Sequence, residues 1–504
     1  MPDKKLSRRR ALGLIAGAAA ALGTGACGAG AGSRAAGARR GGAGRREFNV
    51  RDFGAVGDGT TLDTRAIQQA IDAAAAVGGR VIVPGRRTFL VGTLELKGGI
   101  DFHLADDTTL RASVRPEDYV GGTAVVAAVG AAQGRVAGVE PSPAERAASV
   151  LTARDAVGLT LSGTGRIDGR ARDFMTHFDE VNEWWQPGPF RPNLAFLIGC
   201  RDLEVRDVTF HQAPIRTLHL VGCERVLVDG VKIRNQLDAP NCDGIDPDHS
   251  RHVEIRNCDV VCGDDAIVVK AARAFANHGE SAHIHVHDCK IETQDSGLKI
   301  GTESTRAIHH VVFERCEIRS SCRGLNIQLR DEGDVHDIVF RDITFKARYH
   351  SDPWWGRGEA ISFTAVPRTE GGAIGKISNV RVENVTGHAE NSVRISGCKE
   401  SRIRDVAFDN VAVTLDRHTK YRGGLWDNRP TTSSYPRIEE HTNPGIHVRH
   451  ADNVSLRRCR IAWGANRPEY FTHALEAHDV TGLSYPDFVG ESAHPGRFAA
   501  VAVR

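Results

Sequence analysis

The chain has 504 residues, 41% of them apolar, which supplies material for a continuous core and excludes disorder for the bulk of the sequence. Gly accounts for 54 residues, Met for 2 and aromatics for 6%, a composition unlike that of a coiled coil or helical bundle. Net charge is +2, and the first 26 residues hold Lys4, Lys5, Arg8, Arg9 and Arg10 against Asp3 alone. The remainder therefore carries about −2, no electrostatic footprint for nucleic acid.

Ser7-Arg8-Arg9-Arg10-Ala11-Leu12 followed by an apolar run to Ala26 reads as a twin-arginine export signal over residues 1–26. Its apolar stretch is too short to span a membrane as a mature helix. Thr24-Gly25-Ala26-Cys27 resembles a lipoprotein processing box, but Thr24 stands where a larger aliphatic is usual, so a membrane tether through Cys27 stays open. Residues 27–46 are Gly, Ala and Arg with almost nothing to bury, a flexible linker. The expectation is a secreted or cell-surface monomer whose residues 47–504 form one catalytic domain.

Asp63 to Val77 reads as a capping helix. Asp63 stands at the N-cap, Ala66, Ile67, Ala70, Ile71 and Ala74 line one face, and Gly78-Gly79 ends it. Arg80-Val-Ile-Val-Pro84 then begins the first coil of a longer structure. From Leu203 one phrase recurs, with copies starting at Leu203, Val226, Val253, Ile284, Val311, Ile338, Val380, Val406 and Val454. Each copy alternates apolar and polar at a period of two, which is a strand with one buried face. No helix-length segment separates the copies, so these are not βαβ units. A strand-only repeat of about 20–30 residues predicts an all-β, right-handed parallel β-helix, each coil burying the apolar face of the one before. The copies starting at Val226, Val253, Ile284, Val311 and Ile338 should stack in register.

The sixth position of the phrase holds Val, Ile or Cys, so Cys258, Cys289, Cys316 and Cys459 read as buried packing residues rather than disulfides or metal ligands. The spacings widen after Ile338 and after Val406. These gaps predict insertions, containing Trp354-Trp355 and Tyr421 to Pro444, that wall a cleft.

Asn241-Cys-Asp243-Gly-Ile-Asp246-Pro-Asp248 is followed one coil later by Gly263-Asp264-Asp265-Ala-Ile-Val-Val-Lys270. Aligning Ile245 with Ile267 stacks Asp243 beside Asp265, one strand spacing apart, with Asp264 adjacent. Carboxylates this close cannot all ionise freely, so at least one pKa rises. A glycosidase needs that asymmetry: one protonated acid for the leaving oxygen and one ionised base for water. Solvated turn aspartates or a calcium site are the alternatives.

At these residues the chain resembles the polygalacturonase family, glycoside hydrolase family 28, from Phe48 to about Gly464. Val50-Arg-Asp-Phe-Gly-Ala-Val-Gly-Asp-Gly59, Leu161-Ser-Gly-Thr-Gly-Arg-Ile-Asp-Gly169, Asn241-Cys-Asp-Gly and Gly-Asp264-Asp265 carry the likeness. The resemblance implies an inverting hydrolase with Asp264 as general acid and Asp243 and Asp265 activating water, at an acid–base span of about 6.5–9.5 Å. No cofactor is implied, and the partner is a pectin-type polysaccharide, on the galacturonan or rhamnogalacturonan side. Two departures stand out. Ser296 occupies the place of the family's Gly-His-Gly histidine, and Asn326 and Gln328 stand on the strand where the family carries an Arg-x-Lys pair for the substrate carboxylate.

Stacking Ile300 on Ile327 sets Lys299 beside Asn326, with Lys270 further along the same face. These lysines are the candidates to replace the missing cations, with the surface-lysine reading open beside it. Trp184-Trp185 and Trp354-Trp355 read as loop residues, and both pairs, Trp354 and Trp355 foremost, as sugar-stacking platforms or as loop packing. The 22 histidines contain no HExxH or similarly spaced set, so no metal is assigned. A polysaccharide lyase using Lys299 as base, or a non-catalytic glycan-binding β-helix, are the competing functions.

Overall fold

The computed structural model describes residues 45–120 and 148–504. The export-signal stretch, Cys27 and all of the linker before Arg45 lie outside the described residues. From Arg45 onward the chain winds into stacked coils of right-handed parallel β-helix. Each coil contributes a strand to each of three ladders.

The first ladder carries the recurring phrase. Leu203 pairs with Val226, Val226 with Val253, Val253 with Ile284, Ile284 with Val311 and Val311 with Ile338. The register continues through Val380, Val406 and Val454. Every pair is parallel, so the in-register stack predicted from the period is the one observed. The second ladder runs through Arg166–Asp168, Thr209–His211, Lys232–Arg234, Asp259–Cys262, Lys290–Thr293 and Glu317–Ser321. The third runs through Leu218–Val221, Ile245–Asp248, Ile267–Ala271, Ser296–Ser304, Arg323–Leu329, Glu359–Ala365 and Asn391–Ser396.

The corner between the first two ladders explains the fifth position of the phrase. Asp207, Asn257, Asp288, Arg315, Asp342, Asn384, Asn410 and Arg458 all have φ between 48° and 62°, and Gly230 takes the same place. A left-handed residue turns the chain there once per coil, a conformation Asp and Asn tolerate because their short side chains bond locally. Those side chains also bond from coil to coil: Asn410 donates to Asn384 at 2.9 Å, and Asn384 to Asp342 at 3.0 Å.

Inside the corner lie the sixth-position cysteines. Cys258, Cys289 and Cys316 are buried and free, as are all ten cysteines of the described residues. Each thiol donates at 3.2 Å to the carbonyl two residues earlier, at Arg256, His287 and Glu314. The thiols thus fill aliphatic positions while satisfying their one weak donor. Phe313 stacks on Phe340 at 5.0 Å along the same core.

The N-terminal end is closed by a helix over Thr64–Ala75, with Ile67, Ala70, Ile71 and Ala74 buried against the first coil. Asp63 holds the N-cap position, but its carboxylate does not cap the helix. It accepts instead from the N–H groups of Val56 (2.7 Å) and Gly57 (3.0 Å), tying down the preceding loop. Gly78, at φ 70°, and the Gly79 N–H bond to Ala74 O end the helix as expected.

Candidate active site

Insertions enter at one corner, between the second and third ladders: residues 169–192, 348–358 and 416–445. They meet one another there. Lys420 and the Tyr421 hydroxyl both reach Glu183 at 2.5 Å, Ser351 donates to Asn182 O, and Trp184 meets Trp354 edge-on at 5.8 Å. Trp184-Trp185 is not loop, as read from the sequence; it begins a strand, Trp184–Pro187, paired antiparallel with Met175–Asp179. Phe178 and Trp185 pack across that ribbon at 5.6 Å, which a hairpin provides and a free loop does not.

The acids sit at the same corner. Ile245 pairs with Ile267, which places Asp243 one strand spacing from Asp265, as the sequence alignment of the coils required. Two glycines make this approach sterically allowed. A Cβ on Gly244 would fall 2.3 Å from Ala266 O, and one on Gly263 would fall 2.2 Å from Ala239 O. One oxygen each from Asp243, Asp264 and Asp265 lies within 4.8 Å of the others. A gap of up to that length can be bridged by one water, since two hydrogen bonds of about 2.8 Å reach as far as about 5.6 Å.

The three carboxyls are held differently. Asp243 and Asp265 are 3% and 4% exposed, whereas Asp264 is only half-buried. Burial would raise Asp243, but Lys270, at 2.8 Å from Oδ2, and Arg216 outweigh it and hold the carboxyl below its usual range. Lys299 Nζ donates to Asp265 Oδ2 at 2.6 Å. Asp264 accepts from the N–H groups of Asn241 (3.0 Å) and Asp265 (2.9 Å). Even so, burial and the charges of Asp243, Asp295 and Asp265 push it well above the carboxylate range. The cluster therefore contains a proton-bearing carboxyl beside an ionised one.

The predicted lysines are not surface residues, and each is already paired with a carboxylate of the cluster. Lys270 and Lys299 are each 3% exposed and are committed to Asp243 and Asp265. Ser296 is fully buried; its hydroxyl donates to Asp295 Oδ1 at 2.9 Å and accepts from Asn326 Nδ2 at 2.9 Å. Gln328 donates to Arg429 O of the third insertion at 3.2 Å, so Asn326 and Gln328 lie beneath that insertion rather than along an open cleft. Trp354 is 2% exposed and packs the loop, so it presents no ring to a sugar. Trp355 is half-buried, with Lys299 Nζ 5.8 Å from its ring centre.

Two titratable groups of the cluster carried no role in the sequence reading. Asp295, beside Ser296, is raised to about 7 by burial and Asp265. Asp246, on the strand of Asp243, is raised well above its usual value by burial and by Asp243, with Arg216 at 3.5 Å and Lys270 at 3.9 Å. Their signal was the density of acids on three successive coils, which does not by itself separate reacting from supporting groups.

A walled corner of a parallel solenoid, with unlike carboxyls set around room for one water, is a site of glycoside hydrolase type. The chain belongs to glycosyl hydrolases family 28, whose family model matches residues 131–422, more than half of its length. A second model, rhamnogalacturonase A/epimerase, pectate lyase-like, matches residues 47–92. A probable polygalacturonase of Vitis vinifera is 29% identical over 231 residues, covering 44% of this chain and 43% of the relative. A polygalacturonase of Ralstonia nicotianae is 25% identical over 291 residues, covering 49% and 52%. The chain spans about half the length of the curated relatives it matches. Among solved structures, an exopolygalacturonase from Thermotoga maritima superposes with TM-score 0.58 at 23% identity, covering 73% of this chain and 87% of that one. The family 28 exopolygalacturonase of Yersinia enterocolitica gives 0.61 at 19%, covering 90% and 79%. At these identities the superpositions speak for the fold.

Proposed function

We propose that this chain hydrolyses the glycosidic bonds of a pectin-type polysaccharide, with Asp264 as general acid and Asp243 and Asp265 positioning and deprotonating the attacking water. The observation that carries this reading is the pairing of a proton-bearing, half-buried Asp264 with an ionised, lysine-bound Asp243. Asp264 gives its proton to the departing sugar oxygen as the glycosidic bond breaks, and water supplies the new bond to the anomeric carbon. The water's proton passes to the Asp243–Asp265 pair. The two ammonium groups already lodged against Asp243 and Asp265 supply the positive charge that a calcium ion would otherwise bring. Burial acts against them, but Asp265 and Asp295 hold the Lys299 ammonium above its usual range, a protonation state unsuited to a lyase base.

The third insertion supports action at a chain end. Its Arg429 and Asn428 carbonyls receive Gln328 (3.2 Å) and Arg330 (3.2 Å), roofing the third ladder on the later-coil side of the acids. We read this roof as blocking a polymer bound at Asp264 toward the later coils. The exopolygalacturonases that share the fold act in this mode by name. Export through the Ser7–Leu12 signal fits an extracellular polymer as substrate.

The test is a reducing-sugar screen over galacturonan, rhamnogalacturonan and neutral glycosides, with products sized and their anomer followed by NMR. Release of one or two terminal residues, with the anomeric configuration inverted, is the expected result. Asp264→Asn should lower turnover about 10²–10⁴-fold on the best substrate. Full activity in that variant would remove the proposed acid.

A further inference from the structure

We propose that His441, His447 and Glu476 form a binding site for a divalent transition metal of the zinc class, fastening the third insertion to the solenoid. His447 and Glu476 are register partners on adjacent strands of the third ladder. His441 comes from the insertion, just beyond its short strand Ile438–Glu440. One ligand atom from each lies within 4.8 Å of the other two. Ligands of a tetrahedral zinc at 2.0–2.1 Å stand about 3.4 Å apart, so side-chain rotations of the order of 1 Å would close the set.

A second observation points to a ligand there. His447 is fully buried and neither of its ring nitrogens has a hydrogen-bond partner. An imidazole in that state leaves at least one donor and one acceptor unpaired, which a bound cation would relieve at the acceptor nitrogen. The other two side chains are already oriented. His441 Nδ1 donates to Thr442 O, leaving Nε2 as the free nitrogen, and its ring stacks on Trp426 at 3.7 Å. Glu476 Oε1 accepts from His478 Nε2 at 2.5 Å, the outer-shell contact that typically fixes a ligating carboxylate. The nearby Arg394 cation opposes metal entry but is drawn over the Trp426 ring at 4.3 Å and toward Glu439 at 3.8 Å.

Lys299, Asn326, Ser362, Arg394 and His447 follow one another along the ladder. Four strand spacings of about 4.8 Å put the set roughly 19 Å from Lys299, distinct from the acid cluster. The linear sequence hides it because residues 441, 447 and 476 have no motif spacing; only the coil register brings 447 to 476.

The experiment is zinc titration by calorimetry on the full, untagged chain after chelator dialysis, with cobalt substitution read by visible absorption and a thermal melt with and without zinc. The wild-type chain should bind one tight equivalent, show cobalt bands of nitrogen ligation, and melt higher with zinc. His447→Phe and His441→Gln should each weaken that equivalent by roughly a hundredfold or more and lose the thermal shift, whereas Asp264→Asn should keep both. If His447→Phe does not fold, the more exposed His441→Gln decides. Absence of a tight equivalent in the wild-type chain, or its survival in His441→Gln, overturns the proposal.

Discussion

Removing the Lys270 ammonium tests whether the charge state of the acid cluster is set as the geometry states. Lys270 Nζ and Asp243 Oδ2 are 2.8 Å apart with side chains 4% and 5% exposed, so solvent screening is slight. At an effective dielectric of about 20 the pair attracts by roughly 6 kcal/mol. Breaking a buried pair from one side typically costs about 3–5 kcal/mol, since the remaining charge loses its partner. In Lys270→Met burial acts on Asp243 with only Arg216 and Lys299 opposing, so the carboxyl that now sits below its usual range rises. Each unit of rise is about 1.4 kcal/mol. Two consequences follow with fixed sign. Asp243 is ionised and paired in the wild-type fold, so the stability it contributes is present above its unfolded pKa and lost as pH falls through the lower folded value. The penalty of Lys270→Met should therefore be largest at neutral pH and shrink below about pH 4. The acidic limb of the pH–rate profile should also move upward, because the base loses its proton later. Denaturant melts at pH 4 and 7, and reducing-sugar release across pH 3–8, measure both. Lys270→Met with Asp243→Asn should recover much of the stability and remain inactive. A Lys270→Met profile and melt that superimpose on the wild type at every pH would refute the reasoning.

Asp295 is raised to about 7 and is among the charges that keep Asp264 protonated. Asp295→Asn should pull the alkaline limb of the pH–rate profile to lower pH while changing the melt little; an unmoved limb would count against the coupling. Trp355→Ala should weaken substrate binding with stability near wild type, and Trp354→Ala should show the reverse, compared through KM and Tm. Cys258, Cys289 and Cys316 should resist alkylation in the native chain and be labelled after unfolding. Cys289→Val should be tolerated better than Cys289→Ser, which puts a smaller and more polar side chain into an apolar column with only the His287 carbonyl to meet it.

The solenoid was legible because its two rules are local and repeat. Alternation in the phrase starting at Val253 and its copies sets which side faces in, and register then follows from stacking like on like. The Asp243–Asp265 neighbourhood was legible for the same reason. What the phrase did not explain was its fifth position, where Asp, Asn and Gly mark a left-handed corner rather than a surface preference. The insertions were legible only as lengths. That Trp354 turns inward and that Gln328 is roofed by Arg429 depend on segments meeting from about a hundred residues away or more, where no period constrains them. Asp63 stands at the N-cap as its position implies, but the backbone N–H groups of Val56 and Gly57 take the carboxylate that a sequence rule assigns to the helix.

The fate of the two lysines ties the site to its substrate. An anionic sugar needs a cation near its carboxylate, yet Lys270 and Lys299 are spent on Asp243 and Asp265, and Arg323 is placed between Glu359 at 3.6 Å and Asp427 at 3.9 Å. Withdrawing an ammonium from a buried aspartate to serve a ligand would leave the aspartate uncompensated, at a cost near that of the Lys270→Met change. The arrangement therefore favours a substrate carboxylate that shares a lysine over one that captures it: Nζ of Lys299 has three donors, and one is used on Asp265. Sharing ties recognition to the protonation of the catalytic carboxyls. Lys299→Met should then impair an acidic substrate in both KM and kcat, and a neutral one in kcat alone, because only the acidic sugar loses a contact while both lose the support of Asp265. Equal KM effects on acidic and neutral substrates would show that the lysine serves the aspartate and nothing else.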